Sequence, residues 1–156
     1  MKAFMNYKNL IITLVFIFAS GCTSVSGKYD GFSDVHDACY SYIYGYNNVA
    51  KDYEKALKWC SMASDRGWAS SQVLLAELYY LGNGVEKDLS KALDLYMKAA
   101  DQDHSHALFM IYYIYNKKYP EFSSDEQKKI GIVCLKRAAK AKYKKAVEEV
   151  ASLGNI

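Results

Sequence analysis

One proline, three histidines and four cysteines stand in 156 residues, and neither sign of charge dominates. Each shortage excludes something. The proline, Pro120, falls in the loop KKYPEFSSDEQ and punctuates the chain once. His104 and His106 sit two apart at the start of a predicted helix, where alternate residues point to nearly opposite faces and do not share a metal. They read as a solvated turn, and His36 stands alone. The cysteine spacing does not resemble a zinc site. There is no G-x-S-x-G, S-x-x-K, P-loop or H-E-x-x-H motif, so the residues point to no cofactor, metal or small-molecule substrate. Without Lys2 and Lys8, the basic residues (20 in the full chain) nearly match the 17 acids. That balance gives no signature for nucleic acid.

Long apolar runs are equally scarce. LIITLVFIFA follows the basic Lys2 and Lys8, and it is too short to span a bilayer as a stable helix. It ends Ala19-Ser20-Gly21-Cys22, which resembles a bacterial lipobox with alanine in place of the commoner leucine. That resemblance implies cleavage before Cys22, a diacylglyceryl group on its thiol, and a chain anchored to the membrane. A plain secretory signal with an incidental cysteine is the alternative. Thr23 is not aspartate, which by analogy with enteric lipoproteins implies the outer membrane, facing the periplasm. Residues 1–21 are thus expected to be a signal peptide, 22–32 a lipidated tether reaching roughly 15–20 Å, and 33–156 a folded domain.

What is present is a repeat. The stretch from Ser71 to Ala107 reads SQVLLAELYYLGNGVEKDLSKALDLYMKAADQDHSHA. Leu75, Tyr79 and Gly82 fall at helical spacing, Gly82 and Gly84 interrupt, and Asp88 opens a second helical run through Ala92, Leu95, Tyr96, Ala99 and Ala100. Glycine closes a helix at positive φ and aspartate caps the next. A shift of 36 residues lays DYEKALKW over DLSKALDL, and self-similarity at such a period marks a solenoid. The same step carries Ser71, Leu75 and Tyr79 onto Ala107, Ile111 and Tyr115. A third copy needs a shift of 39, with the extra residues in the Pro120 loop.

Ser71, Leu75, Ala76, Tyr79, Gly82, Gly84, Val85, Asp88, Lys91, Ala92, Tyr96, Lys98, Ala99 and Ala100 together resemble the Sel-one-like repeat family, a relative of the tetratricopeptide array. Ser71 and Ala76 depart from the pattern conservatively. The first copy has Tyr46 and Asn48 where the turn glycines belong, and the third has lost both. The resemblance covers roughly Ser33 to Leu153. It implies an all-α fold, an α/α superhelical solenoid of about three helix–turn–helix repeats with a C-terminal capping helix. Helices are expected near 33–45, 52–65, 69–81, 88–101, 105–117, 125–141 and 143–153. Taken alone, CYSYIYGY from 39 to 46 alternates like a strand, but the repeat alignment makes it helix.

Cys39, Cys60 and Cys134 align with core positions and read as small hydrophobes. A sharper reading joins Cys39 to Cys60. Their midpoint, Val49–Ala50, falls in the predicted turn, so antiparallel helices bring them level in an oxidising compartment. Fifteen tyrosines exceed what three cores demand. Asp37, Ser41 and Tyr44 recur as Val73, Glu77 and Tyr80, then as Phe109, Tyr113 and Asn116, about 200° around the helix from the core stripe. Tyr44, Val73, Glu77, Tyr80, Phe109 and Tyr113 are therefore expected to line a partner groove, or else to pack on a neighbouring helix. Lys136, Arg137, Lys140, Lys142, Lys144 and Lys145 form a basic face, to be met by solvent or by anionic lipid headgroups.

The expected function is non-catalytic: a membrane-anchored module of the bacterial cell envelope that binds another protein. Some family members are described as β-lactamases, but the absent S-x-x-K gives that chemistry no footing here. Resemblance to small lipoproteins that neutralise secreted lipases implies an immunity or inhibitor role. An envelope enzyme or regulator acting on peptidoglycan through an unrecognised site is the alternative, and a pocket with a close carboxylate–histidine pair or paired carboxylates is what would favour the enzyme.

Overall fold

The helices begin where the sequence supplies an acceptor. Asp34, Asp52, Asp88, His104 and Ser124 each take a hydrogen bond on the side chain from the backbone N–H three residues on. Ser124 and Gln127 complete a reciprocal capping box, so two otherwise orphaned donors are satisfied at once. The structure, a computed structural model, describes residues 34–120 and 123–154. Residues 1–33, on which the expected signal peptide, the lipidation call at Cys22 and the expected tether fall, lie outside them.

Among the described residues there are seven α-helices and no strand. They are α1 (Val35–Tyr44), α2 (Tyr53–Asp65), α3 (Ala69–Leu81), α4 (Leu89–Ala100), α5 (Ser105–Tyr112), α6 (Asp125–Lys140) and α7 (Lys144–Leu153). A π-helical segment, Tyr113–Lys118, continues α5. Each helix packs on its neighbours in the chain, and α1 also reaches α3. The result is an α solenoid: three helix pairs in a row, closed by α7. CYSYIYGY is helical as far as Tyr44.

The core follows from which residues recur. Ala56 and Ala63 of α2, and Ala92 and Ala99 of α4, are wholly buried and let the helices approach closely. Gly131 and Ala138 take the same places on α6 at the shift of 39. A Cβ on Gly131 would lie 2.0 Å from Oδ1 of Asn116, so the asparagine fills the space a methyl group would need. Larger side chains complete the core, among them Tyr96, Tyr112, Leu108, Ile111 and Leu135.

The period of 36 holds for the second helices of the first two pairs but not for their first helices. Gly45 closes α1 by donating to Ser41, and Gly82 closes α3 by donating to Leu78; Asp52 donates to Tyr42 as Asp88 does to Tyr79. Positions in α1 therefore correspond to α3 at a step of 37, because the first turn holds one more residue. Asn47 and Asn48, at positive φ, take up that extra length. The corrected step brings Tyr42, Tyr79 and Tyr115 into one buried row, at 7%, 8% and 6% exposure. It also pairs Cys39 with Ala76 rather than Leu75. Gly84 shows why the second turn needs glycine: φ is +70° and a Cβ would lie 2.7 Å from the Tyr53 carbonyl.

Cys39 and Cys60 are joined by a disulfide across α1 and α2, with Cα atoms 4.7 Å apart, and Cys134 is a free buried thiol. The bridge closes a loop over a separation of 21 residues. Reducing it should lower unfolding stability by about 2–4 kcal/mol, mainly by freeing the unfolded chain. Thiol titration of a Cys22→Ala chain in denaturant should count Cys134 alone before reduction and Cys39 and Cys60 in addition after it. Three thiols before reduction would exclude the bridge.

Helical phase sets a second test. Tyr79 is buried in the tyrosine row, whereas its neighbour Tyr80 is half-buried. Tyr79→Ala should cost on the order of 3–5 kcal/mol, as aromatic core truncations do. Tyr80→Ala should cost about 1–2 kcal/mol, nearer to a surface change. Thermal melts of the two variants compare them directly, and equal losses would refute the phase.

Candidate binding groove

Side-chain bonds between repeats run about one repeat along the chain, which places the first helices of successive pairs side by side. His36 of α1 bonds Ser71 of α3 at 2.8 Å, and Glu77 of α3 bonds His106 of α5 at 3.0 Å. Tyr112 of α5 donates to Glu149 of α7 at 2.7 Å. On the other side of the stack, Arg137 donates to the Ala100 carbonyl at 3.0 Å and pairs with Asp103. That spends one member of the basic face on clamping repeats together.

Where α1, α3 and the start of α5 meet lies an open depression of about 400 Å³. Three of the expected groove residues, Tyr44, Val73 and Glu77, line it. So do His36, Tyr40, His104 and His106. The structure thus corrects the reading of the histidines as isolated or as a solvated turn. His104 caps α5, accepting from Ala107 N–H at 3.4 Å. His106 donates from Nε2 to the Glu77 carboxylate and accepts at Nδ1 from the Tyr143 hydroxyl, 2.8 Å away. The step of 37 was the missing signal. It sets His36 and Tyr40, rather than Asp37 and Ser41, opposite Val73 and Glu77, and Ser41 is fully buried.

Glu77 organises the electrostatics here. Burial first, and then its negative charge, push the Tyr44, Tyr96 and Tyr143 hydroxyls above the ordinary tyrosine range. All three stay protonated. The Tyr96 hydroxyl is buried without a hydrogen-bond partner among the described residues.

Tyr80, Phe109 and Tyr113 do not line this depression. Tyr80 faces Lys87, whose ammonium lies 5.9 Å from its ring centre and donates to the Tyr119 hydroxyl at 2.9 Å. Phe109 packs among Tyr112, Tyr113 and Tyr143, with ring centres 5.5–6.3 Å apart. For Phe109 the neighbour-packing alternative holds. Asn116 turns to α6 instead, donating to the Lys128 carbonyl at 3.1 Å. The expected single stripe is therefore two clusters.

A row of paired helices with one hollowed face defines the class: an α/α repeat scaffold. Residues 36–68 and 69–104 each match the Sel1 repeat, and the chain is a Sel1-repeat protein. The third helix pair lies beyond the matched residues. Sel1 repeats are protein–protein interaction modules, and the family is in general a non-catalytic scaffold. The chain is 31% identical over 106 residues to chitin synthase regulatory factor 3 of Schizosaccharomyces pombe, covering 68% of this chain and 11% of that protein. It is 38% identical over 73 residues to the ERAD-associated E3 ubiquitin-protein ligase component HRD3A of Arabidopsis thaliana, covering 47% and 11%. The chain thus spans about a tenth of the length of these curated relatives. Among solved structures, a Sel1 repeat protein from Oxalobacter formigenes superposes with a TM-score of 0.58 at 29% identity, over 65% of this chain and 39% of that one. The protective antigen c5321 of uropathogenic Escherichia coli, which has the SLR fold, gives 0.67 at 22% identity, over 78% and 26%.

The cap on α5 makes stability depend on pH. Burial first, and then the neighbouring His106, hold the His104 imidazole below its ordinary value of 6.5. Protonation would also remove the acceptor for Ala107 N–H and set a positive charge at a helix N-terminus. With the folded value below the unfolded one, the unfolded chain takes the proton first, so stability falls as pH drops through and below 6.5. Chemical denaturation should show His104→Asn, which keeps a capping acceptor, losing less stability over that window than the wild type. Parallel losses would refute the assignment.

Proposed function

We propose that this chain is a membrane-anchored interaction module of a bacterial cell envelope, with the depression around Glu77 as its docking site for another protein. The observation that carries the reading is the exposed aromatic rim. Tyr40 and Tyr44 stand 43% and 50% exposed and line the same hollow as the Glu77 carboxylate. Tyrosines of this kind supply contact area at low entropic cost and recur at binding hot spots. Two features support export: the lipobox-like run ending at Cys22, and the Cys39–Cys60 bridge, since such bonds persist in oxidising compartments. The narrower form of the proposal is immunity, in which the bound protein is a secreted lipase held inactive in the periplasm.

One observation favours a second reading, an enzyme acting on peptidoglycan: Glu77 and His106 form a close carboxylate–histidine pair. The rest of the geometry opposes it. Both nitrogens of His106 are engaged, by Glu77 and Tyr143, so neither is available to take a substrate proton. The histidine that does bond a serine, His36, meets Ser71, which is fully buried.

Fractionation and binding test the proposal together. Cys22→Ala should move the protein from membranes to the soluble periplasm, and a fatty-acid probe should label only the wild type. Tyr44→Ala should weaken capture of the partner by about 1–2 kcal/mol or more, with the thermal melt nearly unchanged. An unlabelled wild type would overturn the anchor. Loss of peptidoglycan hydrolysis in Glu77→Gln and His106→Asn would establish the enzyme instead.

A further inference from the structure

Resting on that docking site, we infer the chemistry of what enters it: a segment of the partner protein that presents an arginine side chain to Glu77, stacked on Tyr44. Charge complementarity carries the argument. With histidine counted neutral, Glu77 is the one charged residue among the described residues lining the depression. It is also only partly spent. His106 engages one carboxylate oxygen, no described residue donates to the other, and the side chain is 31% exposed. The adjoining hollow shares Tyr44 and Glu77 and has a cation of its own, Lys51, whose ammonium lies 5.7 Å from the Tyr53 ring centre. Among the described residues, the main depression is lined by no lysine or arginine.

The walls favour a planar cation over a compact one. Tyr40 and Tyr44 lie 4.5 Å apart between ring centres, and Tyr46 meets Tyr40 edge-on at 6.0 Å. These three rings, 43%, 50% and 61% exposed, are the largest exposed aromatic surface among the described residues of α1 and its turn. Guanidinium stacks on such faces while its N–H groups reach a carboxylate, and it sheds water more readily than an ammonium. A carboxylate-bearing peptide would instead meet Glu77 with like charge and find no lysine or arginine in the depression.

The test uses fluorescent peptides Ser-Leu-Arg-Leu-Ser and the same sequence with citrulline, lysine or glutamate at the centre. Their binding to the purified full chain in detergent is followed by polarisation at neutral pH. Citrulline keeps the planar shape and loses the charge. The arginine peptide should bind about tenfold or more tightly than the citrulline one, as a charge-assisted hydrogen bond contributes. Lysine should fall between. Glu77→Gln, which can still accept from His106, should bring arginine and citrulline to within about twofold of each other, since only the charge has gone. Tyr44→Ala should weaken arginine binding about two- to fivefold, the size of an exposed cation–π contact. Equal binding of the arginine and citrulline peptides by the wild type, tighter binding of glutamate, or no binding at all would overturn the inference, and none of these relies on a variant folding. The two levels separate. If capture of the envelope partner is lost in Tyr44→Ala while arginine and citrulline bind alike, the docking site stands and the arginine does not. If Tyr44→Ala leaves that capture unchanged, the depression is not the docking site and both fall.

Discussion

A two-helix repeat has no inside. Each helix buries one stripe against its pair and still presents apolar surface to the next unit, so roughly three units are needed before a core closes. In this chain that constraint shows as contacts at repeat spacing. His36 meets Ser71, His106 meets Tyr143, Tyr112 meets Glu149 and Arg137 meets the Ala100 carbonyl, all 35 to 37 residues apart. The binding face is a by-product of the same stacking. The first helices lie side by side, and the hollow around Glu77 is lined where α1, α3 and the start of α5 meet.

How much of this could be read in the sequence depended on whether a residue's role was local. Capping aspartates, turn glycines and alanines at seven-residue spacing act within a few positions, so the helices and their pairing were legible from pattern alone. The all-α solenoid followed. The groove was legible only in part, because it is assembled from three helices whose relative phase must be right to a single residue. One additional residue between Gly45 and Asp52 changes the step from 36 to 37 and rotates the set of facing residues. Tyr44, Val73 and Glu77 survived that shift. His36 and Tyr40 displaced Asp37 and Ser41, and the histidine spacing of two concealed that His104 is a cap and His106 a bridge.

The π segment explains the other departure. Its wider turn begins at Tyr113; Ile114 and Tyr115 keep the burial of Leu78 and Tyr79, and the change comes in what Asn116 bonds. Asn116, which the repeat equates with Tyr80, swings to α6 and occupies the space left by Gly131. The third repeat is thereby bonded to its own second helix through Asn116 and contributes to the depression through His104 and His106 at its start. Insertion of the Pro120 loop and loss of the turn glycines are consistent with that change, since a turn closed by a π segment has no need of the Gly82–Gly84 geometry.

The closing helix then ties the groove to the fold. Within α7 only Ala146 is buried, so apolar burial contributes little to holding it. Polar contacts take that part: Tyr112 and Lys117 converge on Glu149 at 2.7 Å and 2.9 Å and hold its carboxyl below the usual range, while Tyr143, the residue before the helix, donates to His106. His106 is thus shared. One nitrogen orients the carboxylate that a ligand would meet, and the other receives the hydroxyl that seats the cap. A ligand that met the second carboxylate oxygen of Glu77 would leave both of these bonds in place, so the depression and the last element of the stack share one fixed ring.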